Sequence, residues 1–191
     1  MTQVCRRTLH GMMQFDPVMA DLAALRERRL ATPDPGARPI IRSITPDDGP
    51  ALTEMALRCS PDSIRHRFHA PLTGAEPSRL TALLRGRGAI ITLVADVDGA
   101  VVGIATLHRS GRGAAEVAVL VEDRWQAGGV GTRLLSHLMR HAAQHGIRTV
   151  DADVQREQGF LIDRLLRGVP DAAASFDGPV ATLHLPVGPA S

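Results

Sequence analysis

Between Ala114 and His145 the chain passes from an apolar run into a cluster of glycines, and from there into a long amphipathic segment. No other stretch narrows the choice of fold as much. Residues 114–121 have the length and the Val-rich content of a buried strand. Gly128, Gly129 and Gly131 follow, and Leu134, Leu135, Leu138, Met139 and Ala142 then share one face at helical spacing. A buried strand that turns straight into a helix is the unit of an α/β domain. The helix start carries N–H groups without helical partners and a partial positive charge. Glycines let a ligand approach that backbone closely. Together they seat an anion, and a pyrophosphate suits the seat.

The flanking segments extend the α/β pattern. Residues 40–44 read as a strand, Thr45-Pro46-Asp47-Asp48 as a helix start, and 51–57 as that helix. A second helix fits 78–84. Strands follow at 89–95, 100–107 and 114–121, the first two joined by the hairpin dipeptide Asp98-Gly99. The long helix is predicted over 131–145, then a strand over 148–154, a helix over 160–166, and strands over 173–176 and 180–185. Ahead of all these, Asp16-Pro17 opens a short amphipathic helix reaching residue 30, and the breaker-rich run Thr32-Pro33-Asp34-Pro35-Gly36 ends it. The expected organisation is an extension over residues 1–37 and one domain over 38–191.

Composition narrows the class. The 191 residues are 44% hydrophobic and 22% charged, as in a globular chain. Twenty-two basic residues against 20 acidic leave +2, too balanced for a nucleic-acid binder. Every one of those basic residues is Arg, because the chain has no Lys; it has no Asn or Tyr either. All three use AT-rich codons, so their absence has a compositional explanation before a functional one. Cys5 and Cys59 are lone thiols, neither a disulfide framework nor a metal quartet. No apolar run follows Arg6-Arg7, and the apolar stretch near 89–97 is too short for a bilayer. These features predict a soluble, cytoplasmic protein with no membrane or nucleic-acid partner.

Two familiar phosphate loops fail on the glycine cluster. A dinucleotide fingerprint needs Gly three positions after Gly131, where Leu134 stands, and a P-loop needs a Lys. The surviving spacing is Gln126-x-x-Gly129-x-Gly131. It resembles the pyrophosphate signature of the GNAT acyl-CoA N-acyltransferase superfamily, and the order of elements over roughly 39–187 resembles it too. The run Ala115-Glu116-Val117-Ala118-Val119-Leu120-Val121 with Trp125-Gln126, and Ser60-Pro61-Asp62-Ser63 leading to Arg67-Phe68, look like the branch holding bacterial protein-lysine acetyltransferases.

The resemblance implies a mixed, mostly antiparallel α/β sheet splayed at an acyl-CoA site and flanked by helices. It also implies acetyl-CoA as co-substrate, without a metal. Gln126 belongs to the signature, and the backbone N–H groups of Ala127, Gly128, Gly129, Val130, Gly131 and Thr132 would cradle the pyrophosphate. Val119 and Val121 would offer main-chain partners to the pantetheine arm. Relatives often carry Gly-Arg where this chain has Ala127-Gly128, so one cationic phosphate contact is missing and weaker coenzyme affinity is expected. The implied reaction is N-acetylation of a primary amine by direct transfer in a ternary complex. A protein lysine, such as one on an acyl-CoA synthetase, is the preferred acceptor. A small-molecule amine and a non-catalytic acyl-CoA-binding module are the alternatives.

Such a transfer needs a base for the ammonium proton. Glu116 is the candidate: apolar sequence neighbours are expected to enclose it and raise its pKa, and the resembling branch carries Glu there. The competing reading is an ordinary solvent-facing or salt-bridged strand Glu. Glu122, expected to be exposed at the strand end, and His108 stand behind it. For the acid, relatives use a Tyr on the last helix. Here Arg164 stands four residues before Gly168, and Gln158 stands where relatives often have Asn. His137, His141 and His145 recur every four residues but lack the Glu of a His-Glu-x-x-His site, so a structural row is expected. Arg65, His66, Arg67, Phe68 and His69 form a basic cluster at the resembling branch's acceptor entrance. The helix at 16–30 is a candidate cover for the domain, a homodimer contact or a docking element.

Overall fold

The structure is a computed structural model that describes Asp34, residues 36–69 and residues 77–188. The helix predicted over 16–30 lies outside the described residues. Seven strands form one sheet: β1 (Ile40–Ser43), β2 (Ile91–Val97), β3 (Ala100–Gly111), β4 (Ala114–Val121), β5 (Thr149–Gln155), β6 (Ala173–Asp177) and β7 (Val180–Pro186). Their order is β1-β2-β3-β4-β5-β7-β6. Only β4 and β5 run parallel, across the crossover that holds the long helix. This is the splayed, mostly antiparallel GNAT-type sheet that the sequence implied. Asp98 (φ 51°) and Gly99 (φ 87°) both take the left-handed conformation that a two-residue hairpin turn demands.

Among the described residues five α-helices cover the two faces: α1 (Gly49–Arg58), α2 (Pro61–Phe68), α3 (Pro77–Arg85), α4 (Val130–Gln144) and α5 (Gly159–Gly168). On one face Leu52, Met55, Ile64 and Leu84 pack against Val94, Ile104 and Leu120. On the other, Leu134, Leu138 and Ala142 of α4 pack against Val102, Ala105, Val121 and Val150. Leu134 and Leu138 are fully buried, each stabilising the fold by roughly 1.5–3 kcal/mol. Gly103 on β3 lets α4 come this close. A Cβ there would lie 3.2 Å from Leu134 Cδ1 and 3.4 Å from Val130 Cγ1.

Helix α2 was not predicted, although its start signals are present. Ser60 Oγ accepts from Ser63 N–H as an N-cap, and Pro61 occupies the first turn. The 45–48 start also resolves differently, into a 3-10 turn (Pro46–Asp48) ahead of α1. Asp48 closes it by accepting from Thr45 N–H at 2.6 Å, and Arg42 forks onto Asp48 and Asp96. The Arg42 hydrogen bond holds the Asp48 carboxyl well below the usual carboxylate range.

Candidate functional site

The turn between β4 and α4 has the form of an anion seat. After a 3-10 turn (Asp123–Trp125), Ala127 takes φ 62° and Gly129 takes φ 81°, curling the backbone ahead of the helix. The first helical bond runs from Arg133 N–H to Gly129 C=O at 3.0 Å, so the N–H groups of Val130, Gly131 and Thr132 precede the ladder. No heavy atom lies within 4 Å of a Cβ built on Gly129, so the seat stands open. The unladdered N–H groups of this helix start are the donor set a diphosphate takes. A side chain at Gly129 would suffer from its φ, not from crowding by protein atoms.

Gln126 has protein partners for its side-chain amide. Its Nε2 donates to Val121 C=O at 3.0 Å and to Ser63 Oγ at 2.9 Å, so its amide ties strand, turn and α2 together. Asp123 strengthens the tie by accepting from Ser60 N–H (2.8 Å), Ser60 Oγ–H (2.7 Å) and Ser63 Oγ–H (3.0 Å). Burial disfavours the charge on Asp123, but these bonds outweigh it and keep the carboxyl below its ordinary range.

The gap beside the seat follows from register. Glu122 N–H donates to Val102 C=O at 3.0 Å, one rung beyond the Gly103–Val121 pair. Antiparallel peptide groups alternate in direction, so those of Val117, Val119 and Val121 face β5. Yet β5 pairs only with Ala114, Ala115 and Glu116. Beyond Glu116 the two strands part, and Val119 and Val121 face an open cleft. The Val121 carbonyl is taken by Gln126, which leaves its N–H and both peptide groups of Val119 toward the cleft.

Glu116 sits at the fork, opposite His108 on β3 and Asp151 on β5. Its side chain is exposed, not enclosed as its sequence neighbours suggested; Ala115 and Val117 point to the other face. Asp151 Oδ1 lies 2.8 Å from His184 Nδ1, and His184 Nε2 lies 3.1 Å from Ser175 Oγ, so a polar row crosses the sheet from β3 to β6. Sequence reasoning missed this row, whose members come together only through strand order. His108 is half-buried against α3's end, where a Cβ on Gly86 would meet its Nε2 at 2.8 Å.

Glu122 reverses its expectation. It is 2% exposed and bonded to Arg58 Nε at 2.7 Å, while Arg58 Nη2 donates to Val101 C=O. It is a buried ion-pair partner facing away from solvent. Arg67 projects from α2 over the Glu116 face. Its Nη2 donates to Thr106 Oγ1 at 3.3 Å, its Cζ stands 4.8 Å from the Phe68 ring centre, and its Nε is buried without a partner. Burial pulls this guanidinium down to about 10, against the attraction of Glu116, so it is charged at neutral pH. Arg65 and His66 instead meet Glu157 at 2.7 and 2.9 Å.

The remaining candidates sort quickly. Arg164 of α5 donates from Nη2 to Thr132 Oγ1 at 2.9 Å, beside the anion seat. Gln158 precedes α5 as its N-cap, without a side-chain capping bond. His145 Nδ1 lies 2.8 Å from His141 C=O at the end of α4, and among the described residues no group of His, Cys, Asp and Glu is arranged to hold a metal ion. Burial pushes the Cys59 thiol up to about 12, an inert state. No helix of the described residues is long and apolar enough to cross a membrane.

The chain is similar to known proteins. Residues 51–161 match the Acetyltransferase (GNAT) family. Among solved structures, the GNAT domain of S. lividans PAT is 26% identical, with a TM-score of 0.69, over 79% of this chain and 92% of that one. Ribosomal-protein-alanine N-acetyltransferase from Brucella melitensis shares the fold at 23% identity and TM-score 0.59, over 77% and 98% of the two chains. So does yncA of Salmonella typhimurium, solved with acetyl-CoA, at 21% identity and TM-score 0.60 over 80% and 95%. With the family matched over more than half its length, and the strand order and forked sheet in place, the chain belongs to the GNAT acetyltransferase family.

Proposed function

We propose that the protein is an acetyl-CoA-dependent N-acetyltransferase acting on a primary amine, foremost a protein lysine such as one on an acyl-CoA synthetase. The observation that carries this reading is the fork: β4 and β5 part beyond Glu116, next to a helix start with three free N–H groups. An acyl-CoA laid in the gap runs its diphosphate to the N–H groups of residues 127–132 and its pantetheine along Val119 and Val121. The acceptor amine then enters from the α2 side, past Arg67, to Glu116. The lysine preference rests on the sequence resemblance around Ser60–Ser63 and 115–126.

Glu116 accepts the ammonium proton, directly or through water, and the freed nitrogen attacks the thioester carbonyl. The cleft-facing N–H groups of β4 are the donors placed for the oxyanion. With no Tyr in the chain, water protonates the departing thiolate. Exposure of Glu116 and this missing acid favour one second reading, an acyl-CoA-binding module without turnover.

Thiol release and calorimetry separate the two. Glu116→Gln is expected to lower kcat by about 10²–10⁴-fold while CoA affinity stays unchanged. Unchanged turnover would reject Glu116 as the base. Coenzyme binding with no thiol released, across small amines and acyl-CoA synthetases, would leave the binding module.

A further inference from the structure

The turn that receives the diphosphate has no cation of its own at Gly128. We propose that Arg164, reaching over from α5, supplies it and grips the coenzyme's diphosphate. This inference rests on the reading of the β4–α4 turn as an acyl-CoA site.

Three observations place the guanidinium. Its Nη2 is bonded to Thr132 Oγ1 at 2.9 Å, and Thr132 is the third residue of α4, one of the three whose N–H groups precede the helical ladder. Arg164 has no carboxylate within ion-pair distance among the described residues, so its charge is uncompensated. A guanidinium has five N–H donors and one here meets a hydroxyl, which leaves a fork free for phosphate oxygens.

The surroundings favour an anion at the same point. The two acids of the turn are already matched, Glu122 by Arg58 and Asp123 by Ser60 and Ser63. Arg124 and Arg133 add positive charge on either side of the glycines. Asp163, next to Arg164 in sequence, opposes it. The hydroxyl of Thr132 holds the guanidinium at the seat's edge before a ligand arrives, which lowers the ordering cost of binding. Arg164 and Thr132 are 32 positions apart, so the contact comes from the packing of α5 beside α4.

The test is calorimetry on the full chain with CoA and with dephospho-CoA, which keeps the diphosphate but lacks the 3′-phosphate. Arg164→Gln should weaken both by about tenfold or more, the loss of one charge-assisted contact. Adding Gly128→Arg to that variant should restore most of the affinity by putting a cation into the turn. Gly128 can take the side chain: its φ lies outside the left-handed region, and a Cβ would be in ordinary contact, 3.4 Å from Trp125 C=O. Equal binding by Arg164→Gln and the parent protein would overturn the proposal. A loss confined to CoA would move the contact to the 3′-phosphate and overturn it too, as would failure of Gly128→Arg to rescue. Failure of the parent protein itself to bind CoA at millimolar concentration would instead sink the acyl-CoA reading beneath it.

Discussion

The two mouths of the cleft are made of different material. On the side proposed for the coenzyme the groups facing the gap are chiefly peptide N–H groups, set by a strand register, two left-handed residues and a helix start. On the side proposed for the acceptor they are side chains: Glu116, Asp151, His184 and Arg67, brought together from four elements. The backbone half tolerates side-chain change except where φ is unusual and at Arg164, the one side chain proposed to reach it. The side-chain half depends on every residue that lines it. Between them runs a band of polar contacts, from Arg58–Glu122 through Asp123 and Gln126, binding α1 and α2 to the turn.

Cutting that band should have the largest effect. Arg58→Leu leaves the Glu122 carboxylate buried and unpaired, which costs about 3–5 kcal/mol in comparable sites. The denaturant midpoint should fall accordingly. A shift no larger than that of an exposed Arg→Leu control would mean that the halves are not joined there.

Next comes the backbone half by itself. Gly129→Asp forces a side chain into φ 81° and sets a carboxylate where the diphosphate is proposed to bind. CoA affinity is expected to drop about 100-fold or more, since like charge at a helix start replaces a favourable dipole. The folding cost should stay near 1 kcal/mol, because Asp tolerates the left-handed region better than most residues. Calorimetry and a melting curve on one sample would show whether binding falls further than stability.

How far the chain disclosed itself beforehand follows the same divide. The strands and α4 were legible to within about two residues at most ends, because periodicity reports local backbone and the glycines mark the turn. Helix α2 was not: Arg65, His66 and Arg67 crowd its eight residues and Ile64 is its only buried one. The exposure of Glu116 was misread because neighbours along a strand lie on opposite faces, so Ala115 and Val117 shield nothing around it. Burial of Glu122 needed Arg58, 64 positions away, and no local pattern carries that.

A smaller effect tests the α2 tie through pH. Asp123 has its carboxyl held below the usual range by bonds from Ser60 and Ser63, against burial. A carboxyl depressed in the folded state adds stability that is complete above its unfolded value, near 4, and is lost as pH falls through the folded value. Asp123→Asn should therefore melt below the parent protein at pH 6, by about 1 kcal/mol at most once solvent screening is counted. The gap should start to narrow as pH drops below about 4 and go on narrowing as pH falls through the folded value. A gap that does not narrow at all between pH 6 and about pH 3 would show that the charge is not what holds α2 to the turn.

The smallest expected effect bears on the backbone half again, and it is a gain. Ala127 sits at φ 62° with a Cβ that glycine would not have. The left-handed region costs a non-glycine residue about 1–2 kcal/mol, while glycine loses more backbone entropy on folding, by about 0.5–1 kcal/mol relative to alanine. Ala127→Gly should thus stabilise the fold by about 0.5 kcal/mol, with CoA affinity equal or slightly better, because the N–H directions of the turn are already those of the parent backbone. If the variant were less stable and bound CoA more weakly, the turn would owe its shape to the alanine. The backbone shape of the coenzyme mouth would then depend on a side chain, and its contrast with the acceptor mouth would be lost.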